Sequence, residues 1–438
     1  MAAPVAETGT NSSKLYTHQL PNGLQLVGQR MPDLESISLC YHVRTGSRDE
    51  HEYGLYGVSH FLEHMVFKGT SRRDAEQITL DFNLMGAEFN AFTSTEQTVF
   101  YARVLGEYLE PAVDLLSDMM RPRLDEQDFS LERNVILEEI ARSKDVPTNQ
   151  AYRKLLTTYF AGNSLGHEVL GTTRSIREMS VEQMRGYWKR RYTPNNMVFS
   201  IAGNFDWDRV VALVEKAAGS WLEGESGRDA EPFVPAEGAT RVIVKPQQKQ
   251  QIILLATPSL GMEDSDIYAA ELATTILGDS TGSRLFWNIF QQGLAETAAA
   301  SLLPHDRTGL MVTFISTTPD HAPTVLELLR NELRSMQENG IAEDELRRAK
   351  DKLISRTVLD GDSAYSRMQD LVYTWLTERR LRTIEEEMQE IERVTPDDIR
   401  RVLDRFPLTH HQVVTTYGPL DARALSLTPT VSEDAEEE

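Results

Sequence analysis

A chain of 438 residues that is 40% hydrophobic and 26% charged has the make-up of a soluble globular protein long enough for two or more domains. Its net charge of −22 repels phosphates and anionic headgroups, which excludes general nucleic-acid binding and a membrane-surface role. A single cysteine, Cys40, excludes a disulfide framework and a cysteine-based zinc cluster, and no apolar run is long enough for a transmembrane helix.

The first residues, MAAPVAETGTNSSKLYTH, carry neither a secretory signal pattern nor an arginine-rich transit pattern, so a cytoplasmic protein with a flexible stretch over 1–13 is expected. LYTHQLPNGLQLVGQRM predicts a hairpin turned at Asn22-Gly23, and SISLCYHVRTG a strand with Ile37, Leu39, Tyr41 and Val43 on one face. VSHFLEHMVFKG reads as a helix ended by Gly69, and NAFTSTEQTVFYARV as a strand pair. Two helices follow, separated at Pro122, and then a helix capped by Ser180, a strand over NNMVFSIAGNFD and a helix from Trp207. Residues 222–238, rich in Gly, Pro and acid, form the linker.

After the linker the pattern restarts with strands RVIVKP and QIILLATPSL, the helix DIYAAELATTILG and the strand LMVTFISTTP. Helices APTVLELLRNELRSMQENG, AEDELRRAKDKLISRTVL and TPDDIRRVLDRF come next, before the strand HQVVTTYGP. The expectation is an α+β protein of two similar domains, 14–222 and 239–420, each a mostly antiparallel sheet with helices on one face. SEDAEEE closes an acidic tail, 421–438, expected to be disordered and solvated.

His60-Phe-Leu-Glu63-His64 carries the chemistry. On a helix, His60 and His64 lie four apart on one face, a spacing that lets two imidazoles hold one cation. Glu63 shares that face and can reach a metal-bound water. Glu132 and Glu139, two helical turns apart, share a stripe with Val135 and Ile136, where a carboxylate is costly unless paired or bound to metal. Glu138 points away from it. This makes Glu139 the third ligand and Glu132 its support. His167 and the pair His410-His411 read as surface or packing residues, and Gly278, Gly282 and Ser283 as an ordinary turn, since no phosphate-loop lysine follows.

H-x-x-E-H followed further along by E-R-x-V-I-x-E-E resembles the M16 (pitrilysin) family of zinc peptidases, in its short two-domain form typified by the mitochondrial processing peptidase β subunit and bacterial relatives. GSRDE, GLYGVSHFLEHMVFKGT, HEVLGTTRSI and RYTPNNMVFSIAGNFD extend the likeness, and LGDSTGSRLF, EDELRRAK and YGP carry it more loosely to about residue 420. The resemblance implies two similar domains forming half of a clam shell. It also implies one zinc per chain on His60, His64 and Glu139, with Glu63 as general base. Asn90, Ala91, Phe92 and Thr93 resemble the family's active-site strand, expected to bind the backbone of a peptide substrate.

Self-sufficient members carry an Arg and a Tyr in the second domain, in a run like R-E-x-x-G-L-x-Y. Here Phe290 stands for the Arg, and neither Glu296 nor Thr297 replaces the phenol. The expectation is a heterodimer whose zinc-free sister subunit supplies these groups; a homodimer is possible. The rival is that Arg284 or Tyr365 does the work. After Glu139 come Arg142, Lys144, Asp145, Arg153 and Lys154, which build no acidic pocket for presequence arginines and favour a bacterial peptidase. The leading reading is an endopeptidase for short or unfolded peptides. The alternative is a non-catalytic scaffold of the same fold.

Overall fold

The computed structural model describes residues 14–228, 230, 232–235 and 237–432. The N-terminal stretch 1–13 and the last six residues of the acidic tail lie outside the described residues. Eleven strands are described: β1 (Lys14–Gln19), β2 (Gln25–Arg30), β3 (Ser36–Val43), β4 (Glu88–Thr93), β5 (Thr98–Leu105), β6 (Met197–Gly203), β7 (Ala239–Val244), β8 (Gln251–Ser259), β9 (Thr297–His305), β10 (Thr308–Thr317) and β11 (Val413–Gly418). They build two sheets, ordered β1-β2-β6-β3-β5-β4 and β7-β11-β8-β10-β9.

The two sheets repeat one plan. In the first, β2 and β6 are parallel and every other pairing is antiparallel; in the second, β7 and β11 are the parallel pair. The α+β class with two similar domains is therefore what the chain adopts. Strand β1 is an addition to the first sheet, and β9, the counterpart of β4, is a strand that the alanine-rich run TAAASLLPH does not announce.

The first compact unit draws its described residues from Met1–Ala141, His167–Asp229 and Val358–Ile384. Ile37, Leu39, Tyr41 and Val43 of β3 face one core, shared with Val58, Phe61, Leu62 and Met65 of the helix Val58–Val66. Cys40, on the opposite face of the same strand, packs with Val27, Val99 and Val198 against Met368, Leu371 and Val372 of the helix Ala364–Glu378. Two polar pins fix that helix: Ser200 Oγ donates to the Met368 carbonyl at 2.8 Å, and Arg367 Nε to Gln29 Oε1 at 2.8 Å.

The second unit comprises Arg142–Gly166, Ala230–Thr357 and Glu385–Glu438. Its sheet has one face against the helices Ile267–Gly278 and Ala322–Asn339. The other face is covered by Ala151, Leu155 and Tyr159 of the helix Pro147–Tyr159. Each sheet thus has a helix on its second face as well, and that helix comes from the other half of the sequence. Contacts group the chain differently from the contiguous spans 14–222 and 239–420. The tail is also partly held: Leu425 is buried in the second core and Thr430 N bonds to the Thr240 carbonyl at 2.9 Å.

Candidate metal centre

The helix Val58–Val66 starts at Gly57, whose φ of 88° and the Leu170 carbonyl 2.8 Å from any added Cβ leave room for glycine alone. Its first N–H groups are not capped by a neighbouring Ser or Asp. Buried Glu50 instead accepts from Gly57 N at 2.6 Å and Ser59 N at 2.8 Å, and burial pushes its carboxyl up to about 8. Behind it, Tyr187 OH bridges Ser59 Oγ at 2.9 Å and Thr45 Oγ1 at 2.6 Å.

Phe61 buries beside the histidines and stacks on Phe129 with ring centroids 4.4 Å apart. Phe129 belongs to the helix Glu126–Lys144, so this stack docks the helix that carries the glutamates onto the one that carries the imidazoles. Its buried stripe is Phe129, Glu132, Ile136 and Ile140; Val135, expected on that stripe, is exposed. Glu138 is exposed as expected.

The convergence is close. Glu139 Oε2 lies 3.7 Å from His60 Nε2 and 3.7 Å from His64 Nε2, and one ligand atom from each residue falls within 4.8 Å of the others. A separation of 3.7 Å is too long for a hydrogen bond. It is near the ~3.4 Å edge of a tetrahedron with zinc–ligand bonds of about 2.0–2.1 Å, so the donor set and its spacing fit zinc.

Around this group the polar contacts are directional. His64 Nδ1 and Glu132 Oε1 are 2.8 Å apart, and Lys68 Nζ holds Glu132 Oε2 at 2.6 Å. Burial works against charge on both partners, but their mutual contact wins, holding Glu132 low with Lys68 and His64 high with the surrounding carboxylates. His60 is pushed down to about 4 by burial and by His64, which keeps it neutral, the form a metal ligand needs. Glu63 is raised by burial, a shift opposed by the Thr93 hydroxyl, which donates to Glu63 Oε2 at 2.6 Å.

Of the strand residues singled out in the sequence, Thr93 alone bonds to this group. Asn90, Ala91 and Phe92 run away from it along β4, the edge of the first sheet: Asn90 is exposed, Ala91 faces the core and Phe92 packs toward the opposite face. Arg284 is engaged elsewhere, in a two-pronged pair with Glu345 at 2.8 and 2.8 Å and a bond to the Gly340 carbonyl. Tyr365 packs on Tyr101, ring centroids 4.9 Å apart. Phe290 is 42% exposed. Sequence reasoning missed Glu50 and Lys68; the sole signal for Glu50 is an acid just upstream of a helix without a capping side chain.

A family model described as Insulinase (Peptidase family M16) matches residues 30–173, and one described as Peptidase M16 inactive domain matches 178–353. A Streptomyces coelicolor protein named an uncharacterized zinc protease is 32% identical over 416 residues, covering 93% of this chain and 90% of its own. The chain belongs to the M16 peptidase family. A Mycobacterium tuberculosis relative, also named an uncharacterized zinc protease, is 34% identical over 411 residues, 91% of this chain and 92% of its own. In fold, the crystal structure of an M16 inactive domain from Pseudomonas fluorescens superposes with a TM-score of 0.87 at 20% identity, over 95% of this chain and all of that one. M16 membership fits the duplicated sheets, and His60, His64 and Glu139 all fall within the insulinase match. Among the described residues, no helix is long and apolar enough to cross a membrane.

Proposed function

We propose that the protein is a zinc endopeptidase, one zinc per chain held by His60, His64 and Glu139, acting on short or unfolded peptides. The observation that carries this reading is the pair of equal 3.7 Å separations from Glu139 Oε2 to two imidazole nitrogens, with Glu63 on the same helix face. Zinc bound there supplies Lewis acidity, lowering the pKa of water and polarising a carbonyl. Glu63 takes the proton of the attacking water and returns it to the leaving amine, with Thr93 fixing one of its oxygens so that the other is free to do so. Glu132 accepts the Nδ1 proton of His64, which would leave Nε2 as the nitrogen able to hold the zinc.

Strand β4 is an open edge beside these groups, which supports recognition of an extended backbone by strand addition at Asn90–Thr93. Such contacts tolerate varied side chains. The engagement of Arg284 with Glu345 counts against it as the substrate arginine, and favours a zinc-free sister subunit, or a second copy, as the source of the missing Arg and Tyr.

The test is metal analysis and peptide cleavage for wild type and Glu63→Gln, each with and without a co-expressed sister subunit. Glu63→Gln should keep its zinc and lose turnover by about 10²–10⁴-fold. Turnover retained in that variant removes Glu63 from its role, and rates indifferent to any partner remove the sister subunit. Zinc-loaded wild type without cleavage in every combination would favour the scaffold reading, for which Phe290 in place of Arg is the supporting feature.

A further inference from the structure

Arg228 lies in the segment whose composition marks it as a solvated linker, yet its side chain is only 9% exposed. The residues before it are stitched to the first unit. Asn195 exchanges two hydrogen bonds with Gly224 at 2.8 and 3.1 Å, Thr193 Oγ1 donates to the Glu225 carbonyl at 2.9 Å, and Gly227 N donates to Asn196 Oδ1 at 2.8 Å. Arg228 then donates from Nε and Nη2 to the two oxygens of Asp49 at 2.9 and 2.8 Å, and from Nη2 to the Glu96 carbonyl at 2.5 Å. Arg48 Nη1 holds the Glu96 carboxylate at 2.6 Å, and Arg191 lies 3.6 Å from Asp49. Every side chain in this network is less than a tenth exposed.

Buried ion networks of this kind add little net stability; what they supply is fixed geometry. The geometry fixed here is the turn between β4 and β5, in which Glu96 sits. Ser47 N and Arg48 N donate to its Ser94 and Thr95 carbonyls at 3.3 and 2.8 Å, and a Cβ on Gly46 would come within 2.3 Å of Ser94 O. Thr93 immediately precedes the turn, and Thr98, its register partner, is tied to the Thr45 carbonyl at 2.9 Å. The hydroxyl of Thr93 is the one that bonds to Glu63.

The geometry points to Arg228 as a positioning residue for peptide hydrolysis: the linker arginine clamps the β4–β5 turn and so holds the Thr93 hydroxyl on Glu63. This rests on the zinc endopeptidase reading. It gives the linker a part in catalysis without contact with substrate or metal.

The test uses the full chain loaded with zinc, with its sister subunit where cleavage needs one, as wild type, Arg228→Gln, Arg228→Lys, Thr93→Val and the double variant Arg228→Gln/Thr93→Val. Arg228→Gln should keep its zinc and lose about tenfold in kcat through a misplaced catalytic group, and Arg228→Lys should recover part of that loss. Thr93→Val should lose a similar factor, and the double variant no more than either single one, because both changes break the same link. Hydrogen exchange at residues 94–97 should quicken in Arg228→Gln while the helix Val58–Val66 keeps its protection. Multiplying losses in the double variant, wild-type kcat in Arg228→Gln, or unchanged exchange at the turn would each overturn the assignment. Absence of cleavage by zinc-loaded wild type would strike the hydrolase reading instead, and exchange at the turn still decides whether the clamp exists.

Discussion

Removing Glu132 isolates the part of metal binding that comes from orientation rather than from ligands. In Glu132→Ala the three side chains proposed as zinc ligands all remain, but His64 Nδ1 loses the carboxylate 2.8 Å away that fixes its tautomer and ring angle. A hydrogen bond to a charged group contributes about 1.5–3 kcal/mol. Lys68 also loses its partner, but at 35% exposure it returns to water and adds little. The loss then falls almost wholly on the metal, and with 1.4 kcal/mol for each factor of ten it weakens zinc by about ten- to hundredfold. Competition of the protein against a chromophoric chelator measures this without any substrate. Zinc affinity within twofold of wild type would refute the argument that Glu132 acts through His64.

Three further outcomes follow from the same contacts. Glu50→Ala leaves two buried N–H groups at the start of the helix Val58–Val66 without an acceptor and should cost about 2–5 kcal/mol of unfolding free energy in urea; a loss below about 0.5 kcal/mol would show the cap to be unimportant. His42, pushed down to about 3 by burial and by Arg44 and Arg228, stays neutral in the fold while the unfolded chain binds a proton below about 6.5. Its contribution is present above pH 6.5 and is lost toward pH 3 at about 1.4 kcal/mol per unit, so urea midpoints at pH 7, 6 and 5 should fall less steeply in His42→Gln. Arg284→Gln should lower the melting temperature by breaking the Glu345 pair and leave KM for peptides unchanged; a raised KM with unchanged melting would restore Arg284 as a substrate group.

What could be read from the sequence was what is encoded within a few residues. His60, Glu63 and His64 sit inside one pentapeptide, so helix periodicity alone puts them on one face, and Glu132 and Glu139 are likewise two turns apart on a single helix. The alternation of Ile37, Leu39, Tyr41 and Val43 found its core face correctly. Placement against distant partners was harder. The helices Ala364–Glu378 and Pro147–Tyr159 are not among the elements read from the sequence, and a stripe such as Met368, Leu371 and Val372 does not say which sheet receives it. Glu50 lies in GSRDEHEYG and Arg228 in LEGESGRDAE, polar stretches in which a buried charge looks like any solvated one. Their partners, Gly57 N and Asp49, are visible only once the chain is folded.

The trade of helices between the two sheets sets how this chain can be divided. Scission within 222–238 yields an N-terminal piece lacking the cover for Val27, Cys40, Val99 and Val198, and a C-terminal piece lacking the cover for Ile252, Leu254 and Val312. Each fragment would be left with a sticky, oily surface suited to aggregation or to re-pairing with its complement. Ribosomal synthesis meets the same constraint, since the first sheet emerges long before Ala364–Glu378 and stays half clothed until that helix follows it out.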